Sequence, residues 1–306
     1  MRGDETMRTA FCWLIGTCLL GQAAATVSGQ DTRQYVEQAV KTELAADQAD
    51  HSHWLYFEVD QKLEHPVKQW VAETPKGNLK RILWIDGRAL TLDEQRSRME
   101  KFFSDPDVLA TQHKSEAHDD QQATEMLQVL PRAFVWTIEG QKGSSTILHF
   151  KPDPSFHPSN MESRVFAAME GDMAVDTEQH RIVSLQGRLI HDVKILGGLL
   201  GGLDAGGTFD VERRETGKGV WQITETHVHI HGHALIFKTI SEQEDDVKAE
   251  FTPLPDDVTM QQAKNDLLKA GQENALINRQ VPATTPARTI GTGVGGRHRS
   301  SPRKSS

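Results

Sequence analysis

Cysteine is nearly absent from this chain: two in 306 residues, Cys12 and Cys18, both close to the start. Once a leader is removed, no thiol remains. Disulfides, a Cys nucleophile and a thiolate metal site are then excluded. Recognisable catalytic signatures are missing as well. There is no G-x-S-x-G and no H-E-x-x-H, and Ser144, Ser145 and Ser241 have no recognisable base beside them. His191 and Asp192 are neighbours on an expected strand, so they point to opposite faces and cannot form a dyad. The pairs Asp245-Asp246 and Asp256-Asp257 read as caps or solvated charges at turns. The expectation is a non-enzyme that needs no cofactor. Nor does any stretch after the first twenty residues approach the ~18 apolar residues of a spanning helix.

What is present begins with a leader. Ala10–Leu20 is a short apolar run preceded by Arg8 and Arg2 and followed by Ala23-Ala24-Ala25. A charged start, a greasy stretch and an A-x-A site make a secretory signal. Cleavage after Ala25 or after Gly29 and a start at Met1 or Met7 are the alternatives, and a buried core helix is the structural one. The expected location is the periplasm or the outer-membrane periphery. Lipidation at Cys18 is a further alternative.

Charge is unevenly placed. The total is −9. Residues 1–29 balance to zero, and Arg279, Arg288, Arg297, Arg299, Arg303 and Lys304 give residues 279–306 a charge of +6 with no acid, so residues 30–278 carry −15. An acidic body repels phosphates and argues against nucleic acid. The Pro-, Thr-, Gly- and Ser-rich tail cannot offset its chain entropy by burial. We expect disorder over 273–306, with peripheral contact to an anionic membrane as its functional reading.

Between leader and tail, periodicity predicts a helix over Tyr35–Ala49 and strands over Trp54–Phe57, Val67–Thr74 and Lys80–Ile85, with a hairpin at Asp86-Gly87. Helices follow over Leu92–Phe103 and Val108–Leu130, the second stopped by Pro131. Strands are then expected over Ala133–Glu139, Ser145–Lys151, Arg164–Asp176, Arg181–Ile195, Thr208–Arg214, Gly219–Ile230, His233–Ile240 and Asp246–Phe251, and a last helix over Asp257–Ala270. The fold class is therefore mainly β with helices (α+β). It is a curled antiparallel sheet or half-open β-barrel of about eleven strands, with the helix pair at 92–130 as a lid.

Two clusters invite functional readings. Gly197–Gly207 is glycine- and leucine-rich, but no G-K-[ST] follows it. A flexible loop or bent strand edge is the plain reading, and an apolar loop touching a membrane is the other. His227, His229, His231 and His233 alternate, so a strand would align them on one face while Val228 and Ile230 point inward. Aligned imidazoles can bind Zn²⁺, Ni²⁺ or Cu²⁺, yet neighbours on one face stand ~6.5–7 Å apart, which is awkward for one tetrahedral ion. A solvated polar face is the competing reading.

Several segments carry a resemblance: Asp50-His51 with Trp54, Phe150–Pro154, Ala168–Asp176, Leu185–Lys194, Gly197–Gly201, Gly206–Phe209 and Phe237–Ile240. With the order of elements, they resemble the LolA/LolB-like fold of the periplasmic lipoprotein carrier and its outer-membrane receptor. They are more similar still to an uncharacterised group of secreted bacterial proteins, common in acidobacteria, described as outer-membrane lipoprotein-sorting-like. The likeness covers about residues 33–270. It implies the domain at 30–272 and a lipid or lipoprotein acyl chain as ligand class, with no binding residues to carry over. A ligand-free structural or interaction module and a metal-binding protein using the His strand stand as alternatives.

Overall fold

The computed structural model describes residues 29–61, 66–195, 201–217, 219–234 and 238–273. Residues 1–28, where a leader is expected, the basic residues 274–306, residues 196–200 of the glycine-rich segment and residues 235–237 after His233 lie outside these.

The elements run α1 (Gly29–Ala49), β1 (His53–Asp60), β2 (Val67–Ala72), β3 (Leu79–Ile85), β4 (Arg88–Ala89), α2 (Leu92–Ser104), α3 (Pro106–Ala133), β5 (Phe134–Lys142), β6 (Ser145–Pro152), α4 (Met161–Phe166), β7 (Met169–Asp176), β8 (Ile182–Leu189), β9 (Val193–Ile195), β10 (Gly201–Leu203), β11 (Thr208–Gly217), β12 (Val220–Ala234), β13 (Lys238–Leu254) and α5 (Met260–Glu273). All thirteen strands join one open antiparallel sheet in the order β4-β3-β2-β1-β13-β12-β11-β8-β7-β6-β5, with β10 and β9 leaving it beside β12. The expected mainly antiparallel α+β sheet is present, with thirteen strands where about eleven were read.

The differences have local causes. Asn160 and Ser163 form a reciprocal cap that starts α4, so the strand expected over Arg164–Asp176 is a short helix followed by β7. Pro131 does not stop α3. It sits inside the last turn, buried, where only one backbone bond is lost. The expected strands over Gly219–Ile230, His233–Ile240 and Asp246–Phe251 are two long ones, β12 and β13, paired from Glu225↔Val247 to Ala234↔Lys238. The Asp86-Gly87 hairpin forms as read, with both residues at positive φ, as a tight two-residue turn requires.

Register carries the alternation of faces across the sheet. One row runs Asp60, Asp246, Thr226, Val211, Leu185, Met173, Leu148, Ile138. Its β5–β8 end belongs to the main core, where Leu148, Met173 and Phe150 are fully buried and α1 adds Val36, Ala39 and Val40. The other face carries the row Val59, Val247, Glu225, Glu212, Ser184. On that face, one step along β1, Leu55 and Phe57 join Trp70, Leu79, Met99 of α2 and Met260, Ala263 and Leu267 of α5 in a second core. Helices therefore cover opposite faces at opposite ends of the sheet. α3 links the two ends: Leu109 packs with the second core, and Met126, Leu127 and Leu130 pack with the first.

Paired glycines and bulges bend the sheet. Gly171 faces Gly187, and a side chain on Gly171 would collide with the Gln186 carbonyl. The Phe209 ring lies over Gly187, where an added Cβ would come within 2.7 Å of it. An aromatic ring filling the space left by glycine is a device of strongly coiled sheets. Bulges at Leu55/Phe57, Ile138/Gly140, Ala174/Val175 and Glu212/Arg213 add local twist.

Candidate functional site

The main core fills the face that would line a hollow at the β5–β8 end. Phe134 packs against Phe150 (ring centroids 4.6 Å), Phe166 (4.9 Å) and Trp136 (5.8 Å). The apolar opening lies instead at the helices. α1 and α3 flank a shallow groove of about 410 Å³ whose floor is Val40, Leu44, Ala45 and Pro131, with Glu37, Lys41, Gln48 and Gln128 on its rim. Val40 and Pro131 are buried and Leu44 is half-buried. The groove thus opens directly onto the main core. In α1 the core stripe is Thr32, Val36, Ala39, Val40 and Glu43, and Leu44 falls one step beyond it. A second pocket of about 290 Å³, between α3 and the start of α4, is lined by amides and hydroxyls together with His118, Glu125, Arg132, Met126 and Val129.

Beneath the groove, Glu43 leaves α1 toward the sheet. Its Oε2 accepts from Arg181 Nη2 at 3.0 Å and lies 2.6 Å from Arg213 Nη1, and its Oε1 accepts the Ile182 N–H at 2.6 Å. Burial pushes its pKa up, but the hydrogen bond from Arg181 and the charge of Arg213 outweigh it and hold the carboxyl below the usual range. The triad fastens α1 to β8 and β11.

At the β1–β2 end the buried charge is less well matched. Glu58 hydrogen-bonds Gln69, and Lys248 lies 3.8 Å from Glu58 and 3.4 Å from Asp246. Asp246 Oδ1 is buried without a hydrogen bond among the described residues. Burial raises Asp246 to about 6, against the pull of Lys248. Glu73, accepting the Trp54 N–H at 2.9 Å, is raised by burial to about 7. Sequence alone suggests a cap or a solvated charge for Asp246; β13 buries it.

The histidines stand where alternation put them. His227, His229 and His231 share the face opposite the main core, and Ile230 packs inward against that core. Asp245 Oδ1 lies 2.7 Å from His227 Nδ1 and 3.0 Å from His229 Nε2, so both imidazoles turn an N–H to one carboxylate. This hydrogen bond, opposed by partial burial, raises the pKa of His227. The side chain of His233 lies outside the described residues. Among the described residues, no group of three or more His, Cys, Asp or Glu side chains is arranged to hold a metal ion. Register extends the polar row beyond what sequence reasoning reached: His149, Asp172, Gln186, Asp210, His227 and Asp245 are successive cross-strand partners. His149 Nδ1 is 2.8 Å from Asp172 Oδ1. Such a row is invisible without the pairing register.

Of the other sequence candidates, Asp192 accepts the Ala205 N–H at 2.9 Å in a turn, and Gly201–Leu203 is a short strand rather than a phosphate loop. No family model, no curated protein and no solved structure matches the chain. Among the described residues no helix is long and apolar enough to cross a membrane.

Proposed function

We propose a non-catalytic cell-envelope protein that binds a lipid, a lipoprotein acyl chain or another apolar ligand, with the α1–α3 groove as its seat. The observation that carries this reading is the groove: an apolar floor of Val40, Leu44, Ala45 and Pro131 open to solvent at the surface of the main core. Each CH₂ withdrawn from water contributes about 0.8 kcal/mol, so a partly covered chain of modest length binds usefully. α3 serves as the helical lid of the LolA/LolB-like arrangement. It is polar along much of its length, and its apolar contacts are Leu109 with the second core and Met126, Leu127 and Leu130 with the first. The exported location and contact of the basic tail with an anionic membrane belong to the same reading.

Extraction and mass spectrometry of protein purified from its own host should recover stoichiometric lipid, and a fluorescent fatty acid should be taken up. Leu44→Arg, on the groove floor, should abolish uptake while circular dichroism stays unchanged. Absence of lipid together with absence of uptake rejects the proposal. A ligand-free interaction module is the second reading, favoured by the aromatic cluster Phe134, Trp136, Phe150 and Phe166 that fills the sheet's inner face.

A further inference from the structure

Two openings flank the same stretch of α3. The apolar groove lies on its α1 side, the second pocket lies on the side of the loop before α4, and Gln128 lines both. Gln121, Glu125, Gln128 and Arg132 follow one another at helical spacings of four and three, so they form one polar stripe along the pocket. Pro131 lines the groove from the adjacent side of the helix. A molecule seated in the groove therefore reaches the pocket by crossing a single exposed amide side chain, Gln128.

The pocket offers hydrogen bonds in both directions. Its far wall is fixed by the cap of α4. Asn160 Oδ1 accepts the Ser163 N–H at 2.8 Å, and the Asn160 N–H donates to Ser163 Oγ at 3.2 Å. The cap uses the amide oxygen of Asn160 and leaves its Nδ2 without a hydrogen bond among the described residues. On the α3 wall, Gln121 Nε2 donates to Glu125 Oε1 at 2.8 Å, which leaves Glu125 Oε2 as an acceptor. Gln122, Gln128 and Arg132 make no hydrogen bond among the described residues. His118 adds an imidazole that serves as donor or acceptor.

These groups select against a charged ligand. Glu125 and Arg132 cancel in charge on one stripe. A phosphate would gain Arg132 and be opposed by Glu125, and an ammonium group would meet the reverse. A sugar hydroxyl meets neither objection, since it donates to one partner and accepts from another. Met126 and Val129 supply an apolar patch for the C–H face of a sugar ring. The volume, about 290 Å³, is at the small end of ligand sites, which run from ~300 to 1,000 Å³. It suits a short saccharide and excludes a long chain.

We propose that this pocket binds an uncharged, hydroxyl-rich glycosyl group through Gln122, Glu125, Gln128, Arg132 and Asn160. With an acyl chain in the groove, the glycosyl group is the head of the same molecule, and the ligand class narrows to a glycolipid. That half rests on the proposed function; the pocket stands on its own lining.

Calorimetric titration of the full chain with decyl maltoside, decanoate, decyl phosphocholine and maltose tests both halves, with the amphiphiles kept below their micellar concentrations. Decyl maltoside should bind about tenfold more tightly than decanoate or decyl phosphocholine, the gain of one to two net hydrogen bonds. Gln122→Ala with Glu125→Ala alters side chains outside both cores and inserts good helix formers. Checked for folding by circular dichroism, it should remove that gain and leave decanoate binding unchanged. Leu44→Arg should abolish decanoate binding and reduce decyl maltoside to the affinity of maltose. The two failures are separable. Maltose binding that depends on Gln122 and Glu125, with no binding of decanoate, rejects the groove and keeps the pocket as the site of a free saccharide. Decyl maltoside no tighter than decanoate or decyl phosphocholine, or tighter but indifferent to the Gln122 and Glu125 changes, overturns the glycosyl assignment and leaves the groove standing. Binding of none of the probes overturns both.

Discussion

The two ends of this sheet keep buried charge in opposite ways. At the β5–β8 end Glu43 meets two guanidiniums and a backbone N–H, on the sheet face that also carries a cluster of packed aromatic rings. At the β1–β2 end Glu58 and Asp246 are buried and Glu73 is half-buried, with Lys248 as their main cation. The first end shows burial compensated by partners. At the second, burial drives Glu73 and Asp246 toward the neutral form. Stability should therefore respond to mutation mostly at the first end and to pH mostly at the second.

The largest effect is expected at Phe150, which is fully buried and touches both Phe134 and Trp136. Phe150→Ala should cost about 3–5 kcal/mol in denaturant unfolding, because the neighbouring rings cannot collapse into the space. Glu43→Gln should come next, at about 3 kcal/mol. It leaves Arg181 and Arg213 without their counter-charge, while Gln can still accept the Ile182 N–H. A loss below about 1 kcal/mol in the same assay would mean that the triad is not what holds α1 down.

The third effect has the opposite sign. Asp246 and Glu73 bind protons more tightly folded than unfolded, so their buried charge penalises the native state above about pH 6–7, and the penalty fades as pH falls toward 4. Asp246→Asn should thus stabilise the protein at pH 8 by about 1–2 kcal/mol, reduced because Lys248 loses a partner, and do little at about pH 4.5. Glu43 acts the other way. Its stabilisation is complete above the ordinary carboxylate pKa and is lost as pH falls through its lowered value. The melting temperature of the wild type should accordingly rise from pH 8 to about pH 5 and drop below about pH 4. A melting temperature that falls steadily from about pH 8 to 5 would contradict this division of the two ends.

Much of the sheet was legible beforehand because alternation is a local signal. The Asp86-Gly87 turn and the inward Ile230 were read directly from spacing, and the strand expected over Arg181–Ile195 is present as β8 (Ile182–Leu189) and, after a bend, β9 (Val193–Ile195). The short α4 was missed because its cap, Asn160 with Ser163, lies within a proline-marked loop and its six residues are too few to show a period. The buried acids were missed for a different reason. Asp246 and Glu73 look like any surface carboxylates in sequence, and only the pairing of β1 with β13 and β2 removes them from water. The groove depended on the contact between α1 and α3, which no local pattern encodes.

The proposal that an apolar chain lies between α1 and α3 is tested most directly by hydrogen exchange on titration with a fatty acid. Protection should increase in peptides covering 37–48 and 128–131, with little change across 145–175. Unaltered exchange at both helices, or protection confined to the β6–β7 interior, would contradict the placement of the ligand.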